Sequence, residues 1–530
     1  VGASDYSAGQ SYEGAAFIYQ GSASGIADGD PVTADTQLES NQADAYLGWS
    51  VSGAGDVNGD GYADVIVGSA AYTAGEAIEG AAFVFHGGMS GISDGNPTTA
   101  NAQIEGNQTS AWLGSSVSGA GDVDGDGYAD VIVGAPDYDA GQVDEGIAVV
   151  FLGSDTGITS GNPTTADTLL ESDQADALMG ASVSAAGDVN GDGYADVIAG
   201  ASDYDAGETD EGAAFVFLGS ATGIANATPA TADTQLEANQ PSSWLGASVS
   251  GAGDVNGDGY ADVIAGASDY DAGKTDEGAA FVFLGSAAGI ANGNPATADA
   301  QIVARQVEAY MGWSVSGAGD VNGDGYADVI VGATDYDSGE TDEGAAVVFL
   351  GNDGADGRMV LARQMRGVAG SIPVEPWGSS TVLESFKLEM TATHPMGRGR
   401  VKLEAEICPP AAAFGDPSCS RQVSPNWIDV TATLGGVTLS ETVSGLTSDT
   451  LYRWRARVLY APFGVTETGI TPPPNPAHGP WRRVSAQAVE ADVRTLPEPG
   501  LLVMLSSGIA LMALIGRGRM WAEAKRGTTG

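Results

Sequence analysis

The sequence predicts an all-β protein: a β-propeller, then a β-sandwich, then one C-terminal hydrophobic helix. Three observations carry this. A nine-residue acidic loop returns five times between residues 56 and 328 at a spacing of 66 residues. Each return is flanked by short apolar runs closed by Gly, which read as strands. Past residue 380 the repeat gives way to separate alternating runs, and an unbroken apolar stretch follows at 500–516.

The first loop is DVNGDGYAD at 56–64. It places Asp56, Asn58, Asp60 and Asp64 at its first, third, fifth and ninth positions, with Gly61 at the sixth and the Tyr62 carbonyl at the seventh. Oxygen ligands so spaced around a turn glycine are how a short loop wraps Ca²⁺. The second loop supplies Asp122, Asp124, Asp126, Tyr128 and Asp130, and the third Asp188, Asn190, Asp192, Tyr194 and Asp196. The fourth supplies Asp254, Asn256, Asp258, Tyr260 and Asp262, and the fifth Asp320, Asn322, Asp324, Tyr326 and Asp328. About five Ca²⁺ ions are therefore expected. An EF-hand would need a Glu at position 12 and flanking helices; here position 12 is Val67, inside the strand-like run Val65 to Gly68.

With a strand on both sides, the loop resembles the FG-GAP repeats of integrin α-subunit propellers and their bacterial relatives. The resemblance runs through the whole repeat, as in LGASVSGAGDVNGDGYADVIAGASDYDAGKTDEGAAFVFLG at 245–285, and covers roughly residues 1–366. Each repeat holds four candidate strands, A to D, expected in the fourth full copy near 247–252, 262–266, 279–284 and 299–304. A repeated antiparallel meander of this kind is a propeller blade. The chain opens at a point that aligns with residue 67, partway through a repeat, and reads as a fragment or processed form. That gives five full blades and three strands of another; the seven blades of an integrin-like propeller imply more upstream. In the last copy RMVLARQ at 358–364 resembles AQIVARQ at 300–306, so the propeller is expected to end near Arg366, with a linker over 367–380.

Charge is divided unevenly. Residues 1–350 hold 54 Asp and Glu against only Lys274 and Arg305, a balance of −52, while the remainder is close to +2. Such a field excludes nucleic acid and anionic membranes as partners and suits divalent cations or basic ligands.

Residues 381–496 carry alternating runs such as RVKLEAEI and LYRWRARVLY, a sandwich pattern. The stretch SGLTSDTLYRWRARV at 444–458 resembles the tyrosine corner and following strand of a fibronectin type III domain. Arg453, Arg455 and Arg457 share one strand face, either solvated or docked on the acidic propeller. Cys408 and Cys419 either close a small disulfide loop or remain thiols. Pro497-Glu498-Pro499, the apolar stretch 500–516 and the bases from Arg517 on resemble the PEP-CTERM sorting signal read by an exosortase in Gram-negative bacteria. As a helix that stretch would span about 25 Å, the short end for a membrane crossing. The resemblance implies export to the cell surface, with a membrane anchor at least until processing.

No catalytic residue and no organic cofactor are assigned. His86, His394 and His478 are scattered, no hydrolase or nucleotide-binding motif appears, and nearly all acids are repeated whereas a catalytic site is usually unique. The expected function is a surface-displayed adhesion or interaction propeller with a protein or polysaccharide ligand. The alternative is a polysaccharide lyase or hydrolase on the same scaffold. The A–B and C–D connections should share one end of the propeller. The other end gathers the B–C loops, such as Asp203 to Glu211, and the D–A turns with Tyr46, Trp112, Leu178, Trp244 and Tyr310. Acids beside aromatics at that end suit a sugar polymer or a cationic partner.

Overall fold

A computed structural model describes residues 1–351 except 21–25, 61, 193, 257, 259, 320 and 322–326. Beyond 351 it describes 362–365, 378–379, 384–392, 400–409, 412, 414, 416–429, 437–448, 450–460 and 493–494. Among these residues every regular element is a strand. The expected helix at 500–516 and the loop residues Asp320, Asn322, Asp324 and Tyr326 lie outside the described residues, and no helix among those described is long and apolar enough to cross a membrane.

Four sheets of four antiparallel strands follow one another in strict chain order, an arrangement consistent with a β-propeller. In one of them the strands are Ser248–Gly253, Asp262–Ala267, Ala279–Phe283 and Ala300–Val303. A three-stranded sheet precedes these four and another follows them. The B and C strands are buried along their whole length because neighbouring sheets cover both faces. The D strand alternates, with Leu38, Ile104, Leu170 and Leu236 turned inward.

Successive sheets are stitched at their A strands. A Ser Oγ of one accepts the Val N–H of the next: Ser50 from Val117, Ser116 from Val183, Ser182 from Val249 and Ser248 from Val315, at 2.9–3.0 Å. With no preceding A strand among the described residues, Val51 is 38% exposed, against 5% for Val117.

The final strand assigned to the propeller is a correction. Ala362–Met365 pairs antiparallel with Ser385–Ala392 and so belongs to the second region. In sequence the last repeat lacks the Pro-x-Thr segment that precedes D strands elsewhere, where the Asn294 N–H donates to Thr297 Oγ1 and Asn294 Oδ1 accepts the Ala296 N–H. Without a D partner among the described residues, Ala345–Phe349 is alternately exposed.

The second region has two sheets. One orders Ala362–Met365, Ser385–Ala392 and Val437–Ser444; the other orders Gly378–Ser379, Val493–Arg494, Leu451–Tyr460, Arg400–Cys408 and Ser420–Val423. Phe386, Leu388, Leu403, Val443 and the fully buried Trp454 form the core. Cys408 and Cys419 are joined as a disulfide. The arginine face is not simply solvated. Arg455 Nε lies 2.7 Å from Glu406 Oε2 and Arg457 Nε 2.7 Å from Glu404 Oε2, both acids on the facing strand, while Arg453 and Arg455 cover the Phe414 ring. Cross-strand charge pairs of this kind fix register.

Candidate metal loops and the opposite face

The acidic loops fold on their own backbone. The Asp60 N–H donates to Asp56 Oδ1 and Asn58 Oδ1, each at 3.0 Å, and the Tyr62 N–H to Asp60 Oδ1 at 2.9 Å. Loops 188–196 and 254–262 repeat these bonds within 0.2 Å. The loops also interlock. A Cβ on Gly59 would meet the Tyr128 ring at 2.6 Å, and Gly125 and Gly191 stand in the same relation to Tyr194 and Tyr260. Only glycine leaves room there for the neighbouring ring.

The ninth-position acids also act as joints between loops. Asp64 is buried; its Oδ2 accepts the Val57 N–H at 2.9 Å and its Oδ1 the Gly87 N–H at 2.7 Å. Asp130, Asp196, Asp262 and Asp328 do the same one repeat on. Each thereby ties its A–B loop to the start of the C–D connection, so these two connections share an end. Burial pushes the Asp130 carboxyl up to about 7 and those of Asp196 and Asp262 up to about 8. Backbone donors oppose the shift and neighbouring loop acids add to it.

In the second loop, oxygens of Asp122, Asp124 and Asp130 lie within 4.8 Å of one another, and Asp122 Oδ1 is buried without a partner. Burial, with Asp126 and Asp124 nearby, pushes Asp122 up to about 6. Three carboxylates converging on one point, one with an unmet lone pair, fit a hard divalent cation held by oxygen. Asp122, Asp124 and Asp130 would hold it there, and it would supply the charge that lets all three ionise. Glu406 with Cys408 and Cys419 is a comparable cluster only by proximity, since the sulfurs are committed to the disulfide.

The opposite end is built on an acid that the sequence did not single out. Glu79 is fully buried; its Oε1 accepts the N–H groups of Ala74, Gly75 and Glu76 at 2.5–3.0 Å, and its Oε2 that of Asn107 at 2.9 Å. It joins a B–C loop to a D–A turn. Glu211 does likewise with Glu208 and Asn239. A second device is an amide clasp: Gln174 Oε1 accepts the Asp205 N–H at 2.6 Å while its Nε2 donates to the Asp205 carbonyl at 3.2 Å. Gln42, Gln108, Gln240 and Gln306 make the same pair of bonds. The glutamine, in an Asn-Gln or Asp-Gln step at four of the turns and after Arg305 at the fifth, was the available signal.

The D–A residues Tyr46, Trp112, Leu178, Trp244 and Tyr310 all sit at φ between 52° and 57°. Bulky side chains there cost about 1–2 kcal/mol each. Ring contacts join two of them, Tyr46 and Trp112, through Trp49, which is 52% exposed and came from an A strand; Tyr12 extends the line. Trp49 was missed because its place is Ser115, Ala181 and Ala247 in the next three repeats. Among B–C loop acids, burial and then neighbouring carboxylates push Asp137 and Asp269 upward.

The FG-GAP repeat family model matches residues 47–85, 113–151, 179–217, 245–283 and 311–349, each span running from an A strand through its loop to the end of a C strand. Integrin alpha-V of Gallus gallus is 33% identical over 240 residues, 44% of this chain and 22% of that protein. Integrin alpha-5 of Xenopus laevis is 29% identical over 236 residues, 44% of this chain and 21% of that protein. Integrin alpha pat-2 of Caenorhabditis briggsae is 43% identical over 89 residues, 17% of this chain and 7% of that protein. The chain thus spans about a fifth or less of the length of these relatives. Residues 47–349 carry five FG-GAP repeats, and this part of the chain is similar to integrin α chains.

Proposed function

We propose that the chain is a calcium-stabilised FG-GAP propeller displayed at a bacterial cell envelope or in its extracellular matrix, where it serves adhesion or interaction. The likeness to integrin α chains supports that role. The observation that carries it is the line of rings Tyr12, Tyr46, Trp49 and Trp112 on the end opposite the acidic loops, spaced 6.1–6.4 Å centre to centre and half exposed at Tyr12 and Trp49. Rings held in mutual contact, three of them (Tyr12, Tyr46 and Trp112) on left-handed backbone, offer a rigid contact surface for a protein or polysaccharide. The loops at the other end hold Ca²⁺ and keep the sheets in register.

The second region is read as a fibronectin type III-like spacer: Tyr452 Oη accepts the Thr447 N–H at 2.8 Å, the bond of a tyrosine corner. Export, an exosortase-type partner and transient membrane anchoring follow from the resemblance at 497–530. No catalytic residue is assigned.

The test is a screen of immobilised glycans and envelope or matrix proteins, with Trp49→Ala and Trp112→Ala alongside the parent and a reducing-end assay on every glycan that binds. Binding that is lost in both variants, without release of reducing ends, is expected. Full binding by both variants, or release of sugar ends, would overturn the reading.

A further inference from the structure

Four of the five loops place asparagine directly before glycine: Asn58-Gly59, Asn190-Gly191, Asn256-Gly257 and Asn322-Gly323; the second has Asp124-Gly125 at the same place. We propose that these Asn-Gly steps are spontaneous deamidation sites whose rate is set by the cation in the loop, and that the reaction carries the loops toward the form the second already has. The inference rests on the calcium reading.

The chemistry needs only water. The glycine backbone nitrogen attacks Asn Cγ and gives up its proton to solvent; the new C–N bond closes a succinimide, the Cγ–Nδ2 bond breaks and ammonia leaves. Water then opens the ring. Attack at Cγ yields Asp on an unchanged backbone, and attack at the backbone carbonyl yields isoaspartate, with the chain rerouted through Cγ. Glycine favours closure because no side chain shields its nitrogen and its backbone is the freest to turn. Gly59 is exposed and lies at φ 69°, and Gly191 at φ 73°.

The fold restrains the same step. Asn58 Oδ1 accepts the Asp60 N–H at 3.0 Å and Nδ2 donates to Asp60 Oδ2 at 3.2 Å; for Asn190 and Asp192 both distances are 2.9 Å. Those bonds hold Cγ in place, and a cation on Oδ1 would fix it further. Emptied of its ion, a loop keeps carboxylates that repel at close range and loses that third restraint.

The second loop shows that the Asp product fits. Asp124 Oδ1 accepts the Asp126 N–H at 3.0 Å, as Asn58 does for Asp60, and Gly125 lies at φ 74°. Conversion therefore adds a fourth carboxylate without moving the backbone, and added ligand charge tightens Ca²⁺ binding. Isoaspartate inserts a methylene into the backbone and carries the Asp60 N–H away from its two acceptors, so it should ruin the loop. A loop left empty is thus either tightened or broken, and the ammonia lost in either change does not return.

The full chain would be held warm at mildly alkaline pH in calcium, in EDTA, and unfolded in urea. Peptide mass mapping would follow replacement of NH₂ by OH at each Asn-Gly, and equilibrium dialysis would count bound calcium in the same samples. Conversion in calcium about tenfold slower than in EDTA is expected, with the peptide containing Asp124 unchanged as an internal control. Equal rates despite bound calcium would overturn the inference and leave the calcium reading standing. So would no conversion in EDTA over the time in which the urea sample converts. If dialysis finds no bound calcium, the calcium reading itself fails and cation control falls with it.

Discussion

Each of the first four full repeats buries a carboxylate at both ends, and the ends treat it differently. Glu79 lies among backbone donors, with four N–H groups on its two oxygens. Asp130 has one donor per oxygen and two further acids facing it across less than 4.8 Å. The first is a finished structural joint. The second is a set of acceptors with capacity left over. Burial by itself does not distinguish the two; the oxygens of neighbouring acids converging on one point do.

The largest expected effects separate the two ends. Glu79→Ala strands four N–H groups, at about 1–3 kcal/mol for each that stays buried. Urea denaturation should show a loss of several kcal/mol, about equal in calcium and in EDTA. Asp130→Ala strands the N–H groups of Val123 and Gly153 and removes a ligand, so it should cost clearly more in calcium than in EDTA. Equal calcium sensitivity of the two variants would erase the distinction.

A pH series is the next most sensitive. Asp130, Asp196 and Asp262 have folded pKa values of about 7, 8 and 8, above the ordinary 3.8. The folded state therefore binds their protons more tightly than the unfolded state does. The stability they contribute is fully present below pH 3.8 and is lost as pH rises toward 8. In EDTA the Tm should fall steadily from pH 5 to pH 8, and calcium should flatten that slope while releasing protons on binding. A Tm in EDTA that rises with pH over this range would contradict the assignment.

Smaller effects sharpen the picture. Gln174→Ala opens one clasp and should cost about 1–2 kcal/mol for two bonds at a partly wet site, whereas Gln174→Glu should cost more because a carboxylate cannot donate to the Asp205 carbonyl. Denaturation of both variants checks the order. Smallest is Asp124→Asn, which takes the second loop from four carboxylates to three. It should leave Tm nearly unchanged in excess calcium and remove the tightest component from a calcium titration.

The period, the loops and the strand positions were legible because nine residues recur almost unchanged. The strands of the fourth full copy fall within a residue of their expected places. What the sequence hid were partners. Glu79 and Glu211 read as loop charge, since nothing local announces the backbone groups that close around them. The arginines of Leu451–Tyr460 read as a face either solvated or docked on the propeller because Glu404 and Glu406 lie some 50 residues away on another strand. Ala362–Met365 was misplaced for the opposite reason: its likeness to an earlier repeat was real, but the Pro-x-Thr segment that precedes such a strand in the other repeats is missing from the sequence.

The central claim is that the acidic loops hold calcium and that the fold leans on it. Calcium titration of the exhaustively chelated chain, followed by calorimetry and by Tm, tests this most directly. Saturable uptake approaching one ion per loop, a rise in Tm on filling and its reversal by EDTA are predicted. A chain shown to be free of calcium that melts at the same temperature as one in saturating calcium would contradict it.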